Sequence, residues 1–229
     1  MKNRKLAIFD IDGTVFRSSL LIELTDALVR DGVLPAEAGR AYAEARSRWL
    51  DREGTYDDYI NAVIRAFEGR IKGLEHKKFM AVAKRVVARS GAHVYRYTRD
   101  LAAQLKRRGY FLLAISNSPK EVLDPFCAKW GFDKVYGRIY EVGPDGRYTG
   151  RTSYHDLITD KAKILKRAVS KEGLTLTGSI GIGDSESDIP FLKMVDTPVC
   201  FNPNSKLFAA AKRQGWQVVV ERKDVVYRV

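Results

Sequence analysis

The chain has little of what marks a secreted, metal-clustered or membrane protein. Only two of its 229 residues are cysteine, Cys127 and Cys200. They form no metal or redox spacing, so two reduced thiols in a cytoplasmic protein are expected. The three histidines, His76, His93 and His155, also lack ligand spacing and read as surface groups. No apolar run approaches the roughly 18 residues of a membrane span. The amino terminus, MKNRKLAIFDIDG, is basic, but its apolar run is too short and too soon acidic for a signal peptide. No internal repeat or low-complexity segment interrupts the chain.

Charge is abundant and unbalanced. Forty Lys and Arg face 28 Asp and Glu, a formal net charge of +12. Nucleic acid, an anionic membrane or a small anionic substrate would all suit that balance. The cations are spread along the whole chain, however, and no run makes a basic tail. LKRRG at Leu105–Gly109 reads as a helix end, with cations in the last turn before a glycine. Most of this charge is therefore expected on solvated faces, and nucleic acid is not an expected partner.

Several runs are apolar throughout, as expected of strands covered on both faces. They are Leu6–Phe9, YFLLAI at Tyr110–Ile115, SIGIG at Ser179–Gly183, TPVCF around Val199, and QVVV at Gln217–Val220. Helical patterns lie between them, such as Ala162–Val169. That alternation predicts an α/β fold with a parallel sheet. From about Phe16 to Gly91 the rhythm changes. SSLLIELTDALVRDG, AEAGRAYAEARSRWLDREG, TYDDYINAVIRAFEG and HKKFMAVAKRVVARSG all read as amphipathic helices, with no convincing strand. A helical insert is thus expected directly after the first strand. A smaller insert is expected at VYGRIYEVGPDGRYTGR, a hairpin around Gly143-Pro144-Asp145-Gly146.

The polar residues that close the apolar runs carry the chemistry. The first strand ends in Asp10 and Asp12, the second in Ser116 and Asn117, the third in GDSESD, Gly183–Asp188. Ligands of open α/β sheets bind beyond the carboxyl ends of the strands, so the three ends converge on one expected site. In SPKE, Ser118 is expected as an N-cap, Pro119 at the first helical position and Glu121 as the capping-box acid. That places Ser116 and Asn117 before a helix N-terminus, a ready anion site. Asp10, Asp12 and Asp184 together put more negative charge in one place than is tolerable without a cation. A hard cation with oxygen ligands, most naturally Mg²⁺, would neutralise it. Lys161, in TDKAKILK, is the candidate for the remaining positive charge. The glycines of TGSIGIGD match a dinucleotide loop poorly, because an aspartate follows the strand at once.

These motifs resemble those of the haloacid dehalogenase-like superfamily, in its phosphoserine phosphatase-like branch with a helical cap. DIDGT resembles the first motif, Ser116 after FLLAI the second, Lys161 the third and GDSESD the fourth; FNPN near Asn202 resembles a stretch that follows. The order is right and covers nearly the whole chain. The resemblance implies a Rossmann-like core of residues 1–15 and 92–229, with residues 16–91 as the cap. It implies a phosphomonoesterase acting on a small phosphorylated metabolite. Asp10 would be the nucleophile that forms an aspartyl-phosphate, and Asp12 the general acid and then base. Ser116, Asn117, Gly13 and Lys161 would line the phosphoryl group. Mg²⁺ would be held by Asp10, Asp12 through its backbone carbonyl, and Asp184, with Asp188 in support. Asp12 points to ester hydrolysis rather than dehalogenation. A phosphotransferase or mutase, and a basic binding module that has lost catalysis, are the alternatives; the intact motif residues oppose the latter. Phosphoserine phosphatases usually carry a glutamate nine residues after the nucleophile, where Ser19 stands here, with Glu23 a turn further on. Phosphoserine is therefore one candidate substrate rather than the default. Arg17, Arg46, Arg48, Trp49 and Tyr56 are the candidates to face substrate from the cap.

Overall fold

A computed structural model describes residues 4–229. Its centre is β1 (Arg4–Asp10), followed by four helices with no strand of the sheet among them: α1 (Leu20–Arg30), α2 (Ala36–Leu50), α3 (Tyr56–Glu68) and α4 (His76–Ser90). The chain then alternates through α5 (Arg96–Arg107), β2 (Phe111–Pro119), α6 (Lys120–Lys129) and the hairpin β3 (Lys134–Val142) and β4 (Tyr148–Ser153). Next come α7 (His155–Ile158), α8 (Lys161–Glu172), β5 (Leu174–Gly183), a 3₁₀ turn at Glu186–Asp188 and α9 (Ile189–Leu192). It closes with β6 (Thr197–Phe201), α10 (Ser205–Gln214), β7 (Gln217–Arg222) and β8 (Val225–Arg228).

The sheet order is β4-β3-β2-β1-β5-β6-β7-β8. Neighbours from β3 to β7 are parallel, and the edge strands β4 and β8 are antiparallel. The parallel part is Rossmann-like: the strand order reverses at β1, and its crevice opens at the carboxyl end of that strand. Each of the five expected strands is present. The apolar runs are continuous because alternate residues serve different layers. Leu6 and Ile8 pack with Ile164, Leu165 and Leu192 on one face, and Ala7 and Phe9 with Leu105 and Phe126 on the other.

The hairpin differs from expectation. It is no separate insert, because the first half of β3 pairs in parallel with β2 and only its second half turns back with β4. Its turn is as read: Gly146 has φ +74° and donates its N–H to Gly143 O at 3.0 Å. The β3–β4 turn also meets the α3–α4 connection, where Gly73 N donates to Tyr148 O and His76 N to Gly146 O. β8 was not anticipated; its four residues are all exposed, so it shows no buried stripe. Among the described residues no helix is long and apolar enough to cross a membrane.

Candidate active site

The carboxyl ends of β1, β2 and β5 bring Asp10, Asp12, Ser116, Asp184 and Asp188 together, and the start of α8 adds Lys161. Asp10 is buried, and its Oδ1 accepts a hydrogen bond from Lys161 Nζ at 2.6 Å. Its Oδ2 is buried with no partner. Burial pushes the Asp10 carboxyl up to about 7, against the pull of Lys161. Lys161 is the first residue of α8, a helix start fixed by the Asp160 side chain, which accepts from Ala162 N and Lys163 N. The Lys161 ammonium also donates to Asp188 Oδ1 at 2.5 Å. Burial alone would lower the Lys161 pKa, but Asp10 and Asp188 outweigh it and hold the ammonium charged.

Asp188 has no exposed surface, and both its oxygens are engaged. Oδ1 takes the Lys161 bond, and Oδ2 accepts from Asp184 N at 2.9 Å and Ser185 N at 3.1 Å. It holds the loop after β5 in shape and orients Lys161. Gly183 lets the strand approach it, since a Cβ there would collide with the Asp188 carboxylate. The Asp184 carboxyl lies beside Asp10 and Asp188; burial first, then those two acids, raise it well above the carboxylate range. Oxygens of Asp10, Asp184 and Asp188 lie within 4.8 Å of one another. A largely buried, all-oxygen donor set of this kind fits a hard divalent cation.

Asp12 follows β1 in a loop that curls back on itself: it bridges Phe16, and Gly13 N donates to Phe16 O and Ser18 O, both at 3.0 Å. Its carboxylate ties three elements together. Oδ1 accepts from Leu20 N, at the start of α1, at 2.6 Å. Oδ2 accepts from Ser118 Oγ at 2.8 Å and from Ser116 Oγ. Burial raises the Asp12 carboxyl, although the bonds from Ser116, Leu20 and Ser118 oppose that rise. Ser116 Oγ in turn accepts from Ser118 N at 2.8 Å, and Asn117 between them is exposed.

A model of the family described as haloacid dehalogenase-like hydrolase matches residues 7–193, from β1 through α9. The chain belongs to that family. A histidinol-phosphatase from Neisseria meningitidis is 28% identical over 228 residues, covering 96% of this chain and 99% of that protein. A phosphoserine phosphatase from Mycobacterium tuberculosis is 26% identical over 216 residues, covering 93% of this chain and 69% of its own length. Among solved structures, a phospho-aspartyl intermediate analogue of phosphoserine phosphatase shares the fold, with a TM-score of 0.64 at 20% identity over 97% of this chain and 96% of that one.

In this haloacid dehalogenase-like hydrolase the expected capping box at SPKE is absent. β2 runs on to Pro119, which is itself the N-cap of α6. The Ser118 hydroxyl is taken by Asp12 and by Leu21 N, at 3.1 Å. Glu121 turns away and accepts from Tyr148 Oη at 2.9 Å. Ser118 is thus a site residue that a cap reading concealed. FNPN supports the site indirectly: Asn204 N donates to Asp184 O at 2.8 Å, and Asn202 Oδ1 accepts from Glu221 N at 2.9 Å.

The five side chains expected to face substrate divide. Burial first, then the Asp12 and Asp184 carboxylates, raise the Tyr56 phenol well above its ordinary value. Trp49 packs edge-on to Tyr56, with ring centroids 5.5 Å apart. Arg17 lies over the Tyr95 ring, 5.7 Å from its centroid. Arg46 instead pairs with Asp26 at 3.5 Å and lines an outer groove of about 570 Å³ between α1 and α2. Arg48 closes the last turn of α2, where its carbonyl accepts from Glu53 N and Gly54 N.

Gly13 offers a sharp test of this geometry. Its φ is +80°, and a Cβ there would overlap Asp184 Oδ2. Gly32 has a similar φ of +69° but open space around it. Both Gly→Ala changes should cost about 1–2 kcal/mol of backbone strain. Only Gly13→Ala should also displace Asp184 and weaken any divalent-cation binding by the acidic cluster, by roughly 10–100-fold. Thermal melts and a Mg²⁺ titration of both variants make the comparison.

Proposed function

We propose that this hydrolase is a Mg²⁺-dependent phosphomonoesterase acting on a small organic phosphate through an aspartyl-phosphate on Asp10. The observation that carries the reading is the asymmetry of Asp10. Oδ1 is fixed by Lys161, while Oδ2, at the carboxyl end of the central strand, is buried and has no partner. That free oxygen attacks phosphorus, and the ester bond to the leaving alcohol breaks. Asp12 stands beside it with its proton affinity raised, suited to protonate the departing alkoxide and then to take a proton from water as the acyl phosphate is hydrolysed. Ser116, Asn117 and Gly13 surround the phosphoryl oxygens, and Lys161 offsets charge shared between nucleophile and phosphate. Asp10, Asp184 and the backbone carbonyl of Asp12 would hold the cation, with Asp188 bonded to Asp184 N and Lys161 behind them. When bound, Mg²⁺ neutralises the carboxylates and screens the incoming phosphate from them.

Residues 16–91 act as a cap over a core whose described residues are 4–15 and 92–229. The Leu20 N–H bond to Asp12 supports this, because it couples the first cap helix to the proton-transfer group. The two relatives are named for phosphoserine and histidinol phosphate, both primary-alcohol phosphates with an amine on the neighbouring carbon. That class is the first to screen.

The reading is tested by phosphate release from an aryl phosphate. Activity should require Mg²⁺ and fall to background with a chelator. Asp184→Asn should keep the fold but raise the Mg²⁺ requirement at least tenfold, in line with losing one of few charged ligands. Activity indifferent to chelation would refute the metal assignment.

A further inference from the structure

Asp184 is fixed at both ends of its backbone by residues outside β5. Its N–H donates to Asp188 Oδ2 at 2.9 Å, and its carbonyl accepts from Asn204 N at 2.8 Å. With both flanking peptides held, the direction in which its carboxylate leaves the chain is held too. Asn204 does more than close this bond. It is the N-cap of α10: its Oδ1 accepts from Leu207 N at 2.9 Å. The other end of the same amide, Nδ2, donates to Glu186 Oε2. Glu186 Oε1 accepts from Lys206 Nζ at 2.6 Å, an ion pair exposed enough for solvent to screen. The start of α10 thus grips the loop after β5 at two points, the Asp184 carbonyl and the Glu186 side chain. A cap asks only for an acceptor, which Asp or Ser supplies as well as Asn. The Nδ2 donor is the part of Asn204 that capping leaves unused. It also matters where Glu186 goes. Glu186 lies two residues from Asp184, yet the carboxylates that cluster within 4.8 Å are those of Asp10, Asp184 and Asp188. Its bonds to Asn204 and Lys206 hold a further acid away from that cluster.

We propose that Asn204 is a positioning residue for the divalent-cation site: its backbone N–H holds Asp184 and its amide holds Glu186, so that the loop presents the Asp184 carboxylate in one geometry. The inference rests on the metal-dependent phosphatase reading and deepens it.

The test separates cap from clamp. Asn204→Asp keeps an acceptor for Leu207 N, so α10 stays capped, but it sets a carboxylate against Glu186 in place of the donor. Its melting temperature in chelator should stay close to that of the wild type. Its Kd for Mg²⁺, measured by calorimetry on the metal-free protein, should rise roughly tenfold or more. Adding Glu186→Gln reverses donor and acceptor, since the Gln amide donates to the Asp carboxylate, and returns the net charge to that of the wild type. This double variant should recover most of the lost affinity. Should the Asp variant not fold, Asn204→Ser, which also caps the helix and lacks the donor, carries the same expected rise. A wild-type Kd in the variant that keeps the cap makes Asn204 a helix cap and nothing more. A double variant no tighter than Asn204→Asp removes Glu186 from the account. Either result overturns the inference and leaves the phosphatase reading intact. A wild-type protein that takes up no Mg²⁺ overturns the metal assignment and the inference together.

Discussion

Asp10→Asn should abolish turnover, by a factor on the order of 10⁴ or more, and Asp12→Asn should slow it by an amount that depends on the leaving group. The two variants differ because the carboxylates differ in their surroundings. Asp10 presents an unpartnered buried oxygen, and an amide there supplies no nucleophile. Asp12 has every oxygen engaged, by Leu20 N and the hydroxyls of Ser116 and Ser118, so it is positioned rather than free to attack. Its amide analogue keeps the backbone carbonyl but loses the proton. With an alkyl phosphate, formation of the phosphoenzyme needs the acid, and turnover should fall about 10²–10⁴-fold. An aryl leaving group needs little help, so that step should fall by about tenfold or less, while hydrolysis of the intermediate still lacks its base. Steady-state and single-turnover rates on one alkyl and one aryl ester read the difference. Were Asp12 only a turn residue, its Asn variant would be nearly silent, since Asn and Asp cap turns equally well.

Lys161→Met should cost about 3–5 kcal/mol of stability together with nearly all activity. The ammonium is buried between Asp10 and Asp188, bonded to each, and its removal leaves two carboxylates facing one another away from water. A bound cation offsets part of that repulsion, so the destabilisation should be larger in chelator than in Mg²⁺. Pairing Lys161→Met with Asp188→Asn removes one of the stranded charges and should recover part of the stability but none of the activity. Urea denaturation with and without chelator, alongside phosphate release, separates the two effects. Equal destabilisation under both conditions would show that the cluster holds no cation in solution.

The strands and their polar ends were legible because each obeys one strong rule. A strand covered on both faces must be apolar throughout, and a polar residue closing it falls at the mouth of the crevice. That rule points to Asp10, Ser116 and Asp184 from the sequence. What it missed was decided by partners distant in sequence. Ser118 reads as a helix cap from its neighbours, but its hydroxyl is claimed by Asp12, 106 residues away. Glu121 looked like the matching acid, but Tyr148, across the fold, holds it. β3 carries a clear hairpin signal at its turn, while its membership of the main sheet depends on β2, which no local pattern reveals. β8, wholly exposed, offers no buried stripe to read. Arg46 reads as a candidate to meet substrate, but the packing of α2 turns it toward Asp26.

The claim that Asp10 carries the phosphoryl group is tested most directly by acid quench of the Asp12→Asn variant mixed with an aryl phosphate labelled at phosphorus. Label should appear on the protein within the first turnover, survive acid, be lost in hydroxylamine, and map to the peptide that contains Asp10. Label on any other residue, or label retained when Asp10→Asn is combined with Asp12→Asn, would contradict the account.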